Sequence, residues 1–271
     1  VYKRQGKGAN QAIAASRLAA DTTFISKIGK DGNANFILED FKKAGIHTQY
    51  ILTSESEETG QAFITVDEAG QNTILVYGGA NMTLSATDVE MSVDAFIGAD
   101  FVVAQLEVPF EAIEQAFKIA RKQNITTVLN PAPAIELPKS LLELTDIIIP
   151  NETEAELLTG ISINNESDMK ETATYFLDLG ISAVLITLGE QGTYCAYQEQ
   201  YKMIPACNVK AIDTTAAGDT FIGAFLSELN KDLSNLESAI RLANQASSLT
   251  VQRKGAQASI PTRKEVEAEY N

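Results

Sequence analysis

Two chemical parts that are rarely adjacent sit together between Asp213 and Ala224, where the chain reads Asp-Thr-Thr-Ala-Ala-Gly-Asp-Thr-Phe-Ile-Gly-Ala. Ala216, Ala217 and Gly218 carry no bulk, so the backbone there can approach a ligand closely. The apolar run from Phe221 to Leu229 reads as the helix that follows. A helix N-terminus presents free N–H groups and about half a positive charge, which together attract an anion. Asp219 stands inside that turn. A carboxylate beside an anion site repels the anion unless it has a task, and the fitting task is to take a proton from an attacking hydroxyl. The plainer alternative is that Asp213 or Asp219 only caps the helix, because Asp is a favoured N-cap. An anion hole and a carboxylate in one turn weigh toward chemistry.

Other polar residues fall just beyond short apolar runs. Glu107 follows Phe101–Gln105, Asn130 follows Thr126–Leu129, Asn151 and Glu154 follow Ile147–Ile149, and Gly189-Glu190-Gln191-Gly192 follows Ala183–Thr187. Ligands of open α/β sheets collect at these strand ends. In Asn151-Glu152-Thr153-Glu154 an N-cap with acidic first-turn residues is sufficient explanation by itself. The same residues could equally hold hydrated Mg²⁺ against nucleotide phosphates. The two glycines after Thr187-Leu188 read as a tight turn, and Arg253-Lys254-Gly255-Ala256-Gln257-Ala258-Ser259 as a polar loop.

The elements that must position these residues alternate. A glycine turn at Gly6 opens a helix through about Ala20, followed by a strand at Thr22–Ile28 and a helix at Ala34–Ala44 stopped by Gly45. Gln61–Val66 and Thr73–Tyr77 flank Asp67-Glu68-Ala69-Gly70-Gln71-Asn72, a hairpin and candidate lid within residues 59–77. Beyond it come strand 101–105, helix 109–124, strand 126–129, helix 138–144, strand 147–149, helices 153–159 and 168–179, and strand 183–187. A second hairpin at 194–197 and 201–205 precedes helices 221–229, 236–251 and 263–270. Short apolar strands alternating with helices belong in a parallel sheet covered on both faces. The expected organisation is one domain over residues 1–271 with a small lid.

The chain has 271 residues, 45% hydrophobic and 21% charged, with a net charge of −15. That balance excludes nucleic acid and anionic membrane as partners, since both require basic surface. An acidic phosphate-binding protein must solve its repulsion locally, with backbone amides and metal ions. Cys195 and Cys207 fit a reducing cytoplasm, and no Cys/His spacing points to zinc. The lone His47, after Gly45-Ile46, reads as a surface residue.

Taken together, Gly6-Lys7-Gly8-Ala9-Asn10-Gln11-Ala12, Asn130-Pro131-Ala132-Pro133, Pro150-Asn151-Glu152-Thr153-Glu154, Ile186-Thr187-Leu188-Gly189, the turn Asp213–Phe221 and Arg253-Lys254-Gly255-Ala256-Gln257 resemble, in order and spacing, the ribokinase or PfkB family of sugar and nucleoside kinases. The resemblance runs from Gly6 onward. It implies a three-layer αβα sandwich with a mostly parallel sheet and a β lid. It implies a cytoplasmic kinase that uses ATP, Mg²⁺ and K⁺ to phosphorylate a sugar, with D-ribose at O5 the expected acceptor. Asp219 would be the base, and the amides of Ala216, Ala217 and Gly218 the anion hole. Gly8, Asn10, Glu107 and Asp219 would contact the sugar. Asn151, Thr187, Leu188, Gly189, Glu190, Gln191, Gly192, Gly218 and Asn244 would line the nucleotide. Glu154 would organise Mg²⁺, while Asp213, Thr215, Thr250, Arg253, Gly255 and Ser259 would surround K⁺, several through carbonyls. A homodimer joined through the lid is also implied.

Family members open with a strand carrying an Asn-x-Asp sugar contact before the glycine motif, where this chain has Val1-Tyr2-Lys3-Arg4-Gln5. The expectation is an N-terminally incomplete sequence that lacks a strand and part of the lid, and that binds sugar poorly. Rival acceptors are fructose, deoxyribose and adenosine; a non-catalytic sugar or nucleotide sensor is the alternative of a different class.

Overall fold

The computed structural model describes residues 6–66 and 72–270. The segment Val1–Gln5 and residues 67–71 of the hairpin turn lie outside the described residues. In chain order the elements are α1 (Lys7–Arg17), β1 (Ser26–Ile28), α2 (Gly32–Ala44), β2 (Ile51–Thr53), β3 (Gln61–Val66), β4 (Asn72–Tyr77), α3 (Ala86–Met91), β5 (Phe101–Ala104), α4 (Phe110–Lys122), β6 (Thr126–Leu129), α5 (Lys139–Leu142), β7 (Ile147–Ile148), α6 (Glu152–Thr159), α7 (Glu166–Asp178), β8 (Ala183–Thr187), β9 (Gly192–Tyr197), β10 (Gln200–Pro205), α8 (Ala217–Glu228), α9 (Leu236–Val251) and α10 (Arg263–Tyr270).

Six strands form the central sheet in the order β10-β9-β8-β7-β6-β5. β5 through β8 run parallel, and β9 and β10 add an antiparallel margin. Successive strand residues point to opposite faces, and both faces are apolar. Ile147, Ala183 and Leu185 pack with Phe225, Ile240 and Ala243 of α8 and α9. Their neighbours Ile148, Val184 and Ile186 pack with Phe117, Ala155 and Phe176 of α4, α6 and α7. This doubled burial produces the αβα layering and explains why the strands read as unbroken apolar runs. The fold is therefore the three-layer, mostly parallel architecture expected.

Elsewhere local chemistry sets the boundaries. Asp31 caps α2 by accepting from the Ala34 N–H at 3.0 Å, and Gly45, at φ +82°, ends it in the left-handed conformation. The expected strand over 22–28 is regular only at Ser26–Ile28, where it pairs in parallel with β2, an element the sequence patterning missed; Thr23 makes a single bridge to His47. His47 is exposed and its Nε2 meets Asp21 at 2.8 Å, as suits a surface residue. The β3–β4 hairpin forms its own antiparallel pair, with Gln61 opposite Tyr77.

Among the described residues, the β1–β2 pair is not hydrogen-bonded to the central sheet. Between it and β5 lies a cavity of about 570 Å³ walled by Phe24, Ile25, Phe101, Val103, Ile222 and Leu226. Gly8 and Glu107 also line it, so this cleft opens into the site described next.

Candidate active site

The site is built where two helix N-termini meet. α1 and α8 pack along their lengths, and Gly223 makes that possible: a Cβ there would fall 2.5 Å from Ala14 Cβ and 2.7 Å from the Gln11 carbonyl oxygen. Close packing sets α1 side chains directly against Asp219 on the first turn of α8. Asn10 Nδ2 donates to Asp219 Oδ2 at 2.8 Å, and Gln11 Nε2 donates to Oδ1 at 3.1 Å. Asp219 is therefore no helix cap, since its carboxylate faces another helix. Burial pushes its pKa up, and the Asn10 donor, the charge of Lys7 and the Gln11 donor offset part of the rise. A carboxylate raised toward neutrality is a stronger proton acceptor while still ionised.

The turn before α8 is held from behind. Asp213 Oδ1 accepts from Thr215 N at 3.0 Å and Thr215 Oγ1 at 2.6 Å, and Oδ2 accepts from Gly255 N at 3.0 Å. The backbone of Ile212 and Asp213 also donates to the Val251 carbonyl. These bonds join the end of α9 and the 253–259 loop to the turn. Ala216 takes φ +63°, a left-handed conformation unusual for a residue with a side chain, and no side chain caps the helix it precedes. The tight turn thus leads directly into the first turn of α8. Of the three amides predicted for the anion hole, Ala217 N donates to the Thr214 carbonyl at 3.2 Å.

Glu107 lies on the opposite wall. Its Oε2 accepts from the Lys7 N–H, the first of α1, at 2.7 Å. Burial raises its pKa, partly countered by that N–H and by the charge of Lys7, with repulsion from Asp219 adding to the rise. Gly8 faces the Gln105 side chain. Asn10 is 3% exposed, yet among the described residues its Oδ1 has no hydrogen-bond partner. A buried amide oxygen in that condition is costly, so a donor from a bound molecule fits it.

Beyond β7, Asn151 and Glu154 form a reciprocal capping box: Asn151 Oδ1 accepts from Glu154 N at 2.8 Å and Glu154 Oε2 accepts from Asn151 N at 2.9 Å. Both readings of these residues survive, because Glu154 is buried with its pKa pushed up by burial and Asn151 is exposed. Among the described residues no group of three His, Cys, Asp or Glu side chains could hold a metal. The lone buried Glu154 matches the sparse protein ligation that Mg²⁺ accepts when water and phosphates complete its shell.

Thr187 bridges to Asn151 at the sheet end, and Leu188 beyond it is buried. Gly189, Glu190 and Gln191 form an exposed single turn, and Gly192, at φ +113°, starts β9. Asn244, expected beside the nucleotide, is held by the fold itself. It is buried, its Oδ1 accepts from Thr193 at 3.1 Å and its Nδ2 donates to the carbonyls of Ile204 and Pro205. Its amide is committed to tying β9 and β10 to α9.

Among the residues expected around K⁺, Thr250 is fully buried with its hydroxyl on Thr220 and the Ala246 carbonyl, and Ser259 Oγ donates to the carbonyls of Gly255 and Ala256. Arg253 points its guanidinium at Glu265, 2.8 Å away. Oxygen donors from Asp213 and the 250–259 segment are thus gathered within one bonded loop, a donor set that suits a hard monovalent cation.

Sequence reasoning assigned no role to Lys7, Gln11, Gln105 or Gly223. Lys7 carried a signal, as a cation inside a glycine motif of an acidic chain. Gly223 carried one too, as a glycine interrupting an apolar helix. Gln11 and Gln105 carried none, because their partners lie about a hundred or more residues away.

The chain is 65% identical over 261 residues to a ribokinase of Staphylococcus aureus, covering 96% of this chain and 86% of that one. It is 45% identical over 260 residues to a ribokinase of Haemophilus influenzae, covering 96% and 85%. The structure of Arabidopsis thaliana ribokinase complexed with ribose and ATP superposes with a TM-score of 0.92 at 32% identity, over 97% of this chain and 86% of that one. The model of the pfkB family carbohydrate kinases matches residues 2–263. With the family model matched over residues 2–263 and these relatives over nearly the whole chain, the chain belongs to the pfkB family of carbohydrate kinases.

Proposed function

We propose that this protein transfers the γ-phosphoryl group of ATP to O5 of D-ribose, giving ribose 5-phosphate and ADP. The observation that carries the proposal is the meeting of Asp219 with two amide donors of α1 on the first turn of α8, directly after the left-handed Ala216. One carboxylate can then take the hydroxyl proton while the helix N-terminus beside it stabilises the charge on the transferred group. As the O5–Pγ bond forms and the bond to the β-phosphate oxygen breaks, the proton passes to Asp219 and ADP leaves. General-base catalysis contributes ~10²–10⁴ in rate.

Glu107 and Asn10 orient the sugar. The open Oδ1 of Asn10 accepts from a ribose hydroxyl while its Nδ2 remains on the base. Lys7 offsets the three carboxylates around it, which reduces repulsion of the incoming polyphosphate. Asn151, Thr187 and the 188–192 turn contact the nucleotide, and Asn244 supports that wall through the strands it joins. Glu154 would hold hydrated Mg²⁺, which would supply neutralisation of phosphate charge. Asp213, Thr215, Thr250, Arg253, Gly255 and Ser259 would hold K⁺, whose charge would help fix the turn before α8. Residues 59–77 act as a lid on a single kinase domain. The exposed Leu75, Val76 and Tyr77 of β4 offer an apolar strand for pairing with a second copy.

The test is ADP formation with ribose, deoxyribose, fructose and adenosine, each with and without K⁺. Ribose-dependent, K⁺-stimulated turnover is expected. Absence of turnover with every acceptor overturns the proposal in favour of a sensor, and preference for another acceptor corrects the sugar.

A further inference from the structure

Gln11 is 2% exposed and every polar atom of its side-chain amide is in use. Its Nε2 donates to Asp219 Oδ1 at 3.1 Å and to Asn130 Oδ1 at 3.0 Å, and its Oε1 accepts from Gln105 Nε2. Asn130 is fixed in turn, since its Nδ2 donates to the Ile149 carbonyl at 3.0 Å. An amide has two N–H donors and one carbonyl oxygen, so Gln11 has no donor left for a substrate. Asn10, one residue earlier, keeps an unpartnered buried Oδ1. The two neighbours therefore divide the work, with Asn10 open to the ligand and Gln11 closed to it.

The chain of amides also has a direction. Asn130 must present its oxygen to Gln11 because its nitrogen is held by the Ile149 carbonyl. Gln105 presents a donor to Gln11 Oε1. With the Asn130 oxygen set on one side and the Asp219 carboxylate on the other, the Gln11 nitrogen can only face Asp219. Reversing the amide would set oxygen against the carboxylate and against Asn130 Oδ1.

We propose that Gln11 is a positioning residue for the base: an amide relay from Gln105 and Asn130 holds its N–H on Asp219 Oδ1 and fixes the rotation of that carboxylate. The inference rests on the kinase reading for its catalytic consequence, although the relay is a property of the fold. Lys7 of α1, Glu107 beyond β5 and Glu154 of α6 are the charged groups whose fields reach Asp219, and none is altered by substitutions in the relay.

The experiment compares Gln11→Leu and Gln105→Met with the wild type. Gln11→Leu removes a donor to the ionised form, so the acid limb of kcat should move to higher pH by about one unit. A freely rotating base should lower kcat ~10–100-fold, leaving KM for ATP unchanged. Gln105→Met removes only the donor that orients Gln11 and should move the limb in the same direction by less. A ¹³C NMR titration of the Asp219 carboxyl reads the same shift without turnover, and therefore still decides the inference if the wild type phosphorylates no sugar. Thermal unfolding screens for misfolding; if Gln11→Leu fails to fold, Gln105→Met decides. An unshifted carboxyl titration in the folded variants overturns the proposal, as does a loss confined to KM.

Discussion

Replacing Gly223 by alanine tests whether the tight seam between α1 and α8 brings Asn10 and Gln11 to the base. The new methyl would lie 2.5 Å from Ala14 Cβ, 2.6 Å from Ala15 N and 2.7 Å from the Gln11 carbonyl oxygen. Relaxed carbon contacts begin near ~3.5 Å, so the helices must separate by about 1 Å. Overpacking of this kind costs ~1–3 kcal/mol. Alanine recovers ~1 kcal/mol as the better helix former. The net loss of about 0–2 kcal/mol lowers the unfolding midpoint of a chain this long by roughly 0–4 °C. Activity should fall much further. The donors lie 2.8 and 3.1 Å from Asp219. A further 1 Å takes both out of hydrogen-bond range, and a displacement of that size costs about 10²-fold in rate. Steady-state kinetics beside thermal unfolding should show kcat down by about two orders of magnitude, an unchanged KM for ATP and a small change in midpoint. Wild-type kcat in a folded Gly223→Ala protein would refute the reasoning, because the seam would then have slack that the contact distances deny.

Three more outcomes follow from the same geometry. Asp219→Asn should reduce turnover ~10²–10⁴-fold or more while leaving ATP binding measurable by calorimetry. Because the folded-state pKa of Asp219 is raised, ionisation costs stability as pH rises through it; the Asn variant should therefore be as stable as the wild type or more so at neutral pH, and less advantaged in acid. Asp213→Asn removes the charge that the Thr215 and Gly255 N–H groups point at, and should weaken K⁺ stimulation at least tenfold in K⁺ concentration, about 1.4 kcal/mol, read from K⁺ titrations of turnover. Burial pushes the Cys195 thiol up to about 12, so a thiol reagent at neutral pH should modify the half-buried Cys207 and reach Cys195 only on unfolding, as peptide mapping would show.

The elements legible in the sequence are those whose reasons are local. β6, α9 and α10 fall where apolar spacing puts them, and Gly45 ends α2 as a left-handed cap must. Short pieces such as β2 and α3 were invisible, because three to six residues give too little periodicity to separate from loop. In the site, Asp219 and its small-residue turn announce themselves because an anion hole and a carboxylate conflict unless they cooperate. The relay through Gln11 does not. Glutamine occurs on any helix surface, and only the packing of α1 on α8 converts this one into a buried donor. Asn244 is equally opaque in the sequence, since a polar residue grouped with the nucleotide site accepts from the Thr193 hydroxyl and donates to the strand carbonyls of Ile204 and Pro205.

The pairing of α1 with α8 also has a consequence in time. Asn10 and Asp219 are 209 residues apart in the chain. At ~5–20 residues per second, a ribosome takes about 10–40 s to add that length, and α1 waits throughout with Ala12, Ile13 and Ala14 unable to complete their packing. Contacts this distant in sequence slow folding, because the closure entropy precedes the reward. A nascent chain therefore holds neither an assembled base nor an anion site until α8 has emerged, and ATP meets no partly built catalyst during synthesis. The same delay makes α1 the segment of the newborn chain that most needs shielding from other hydrophobic surfaces.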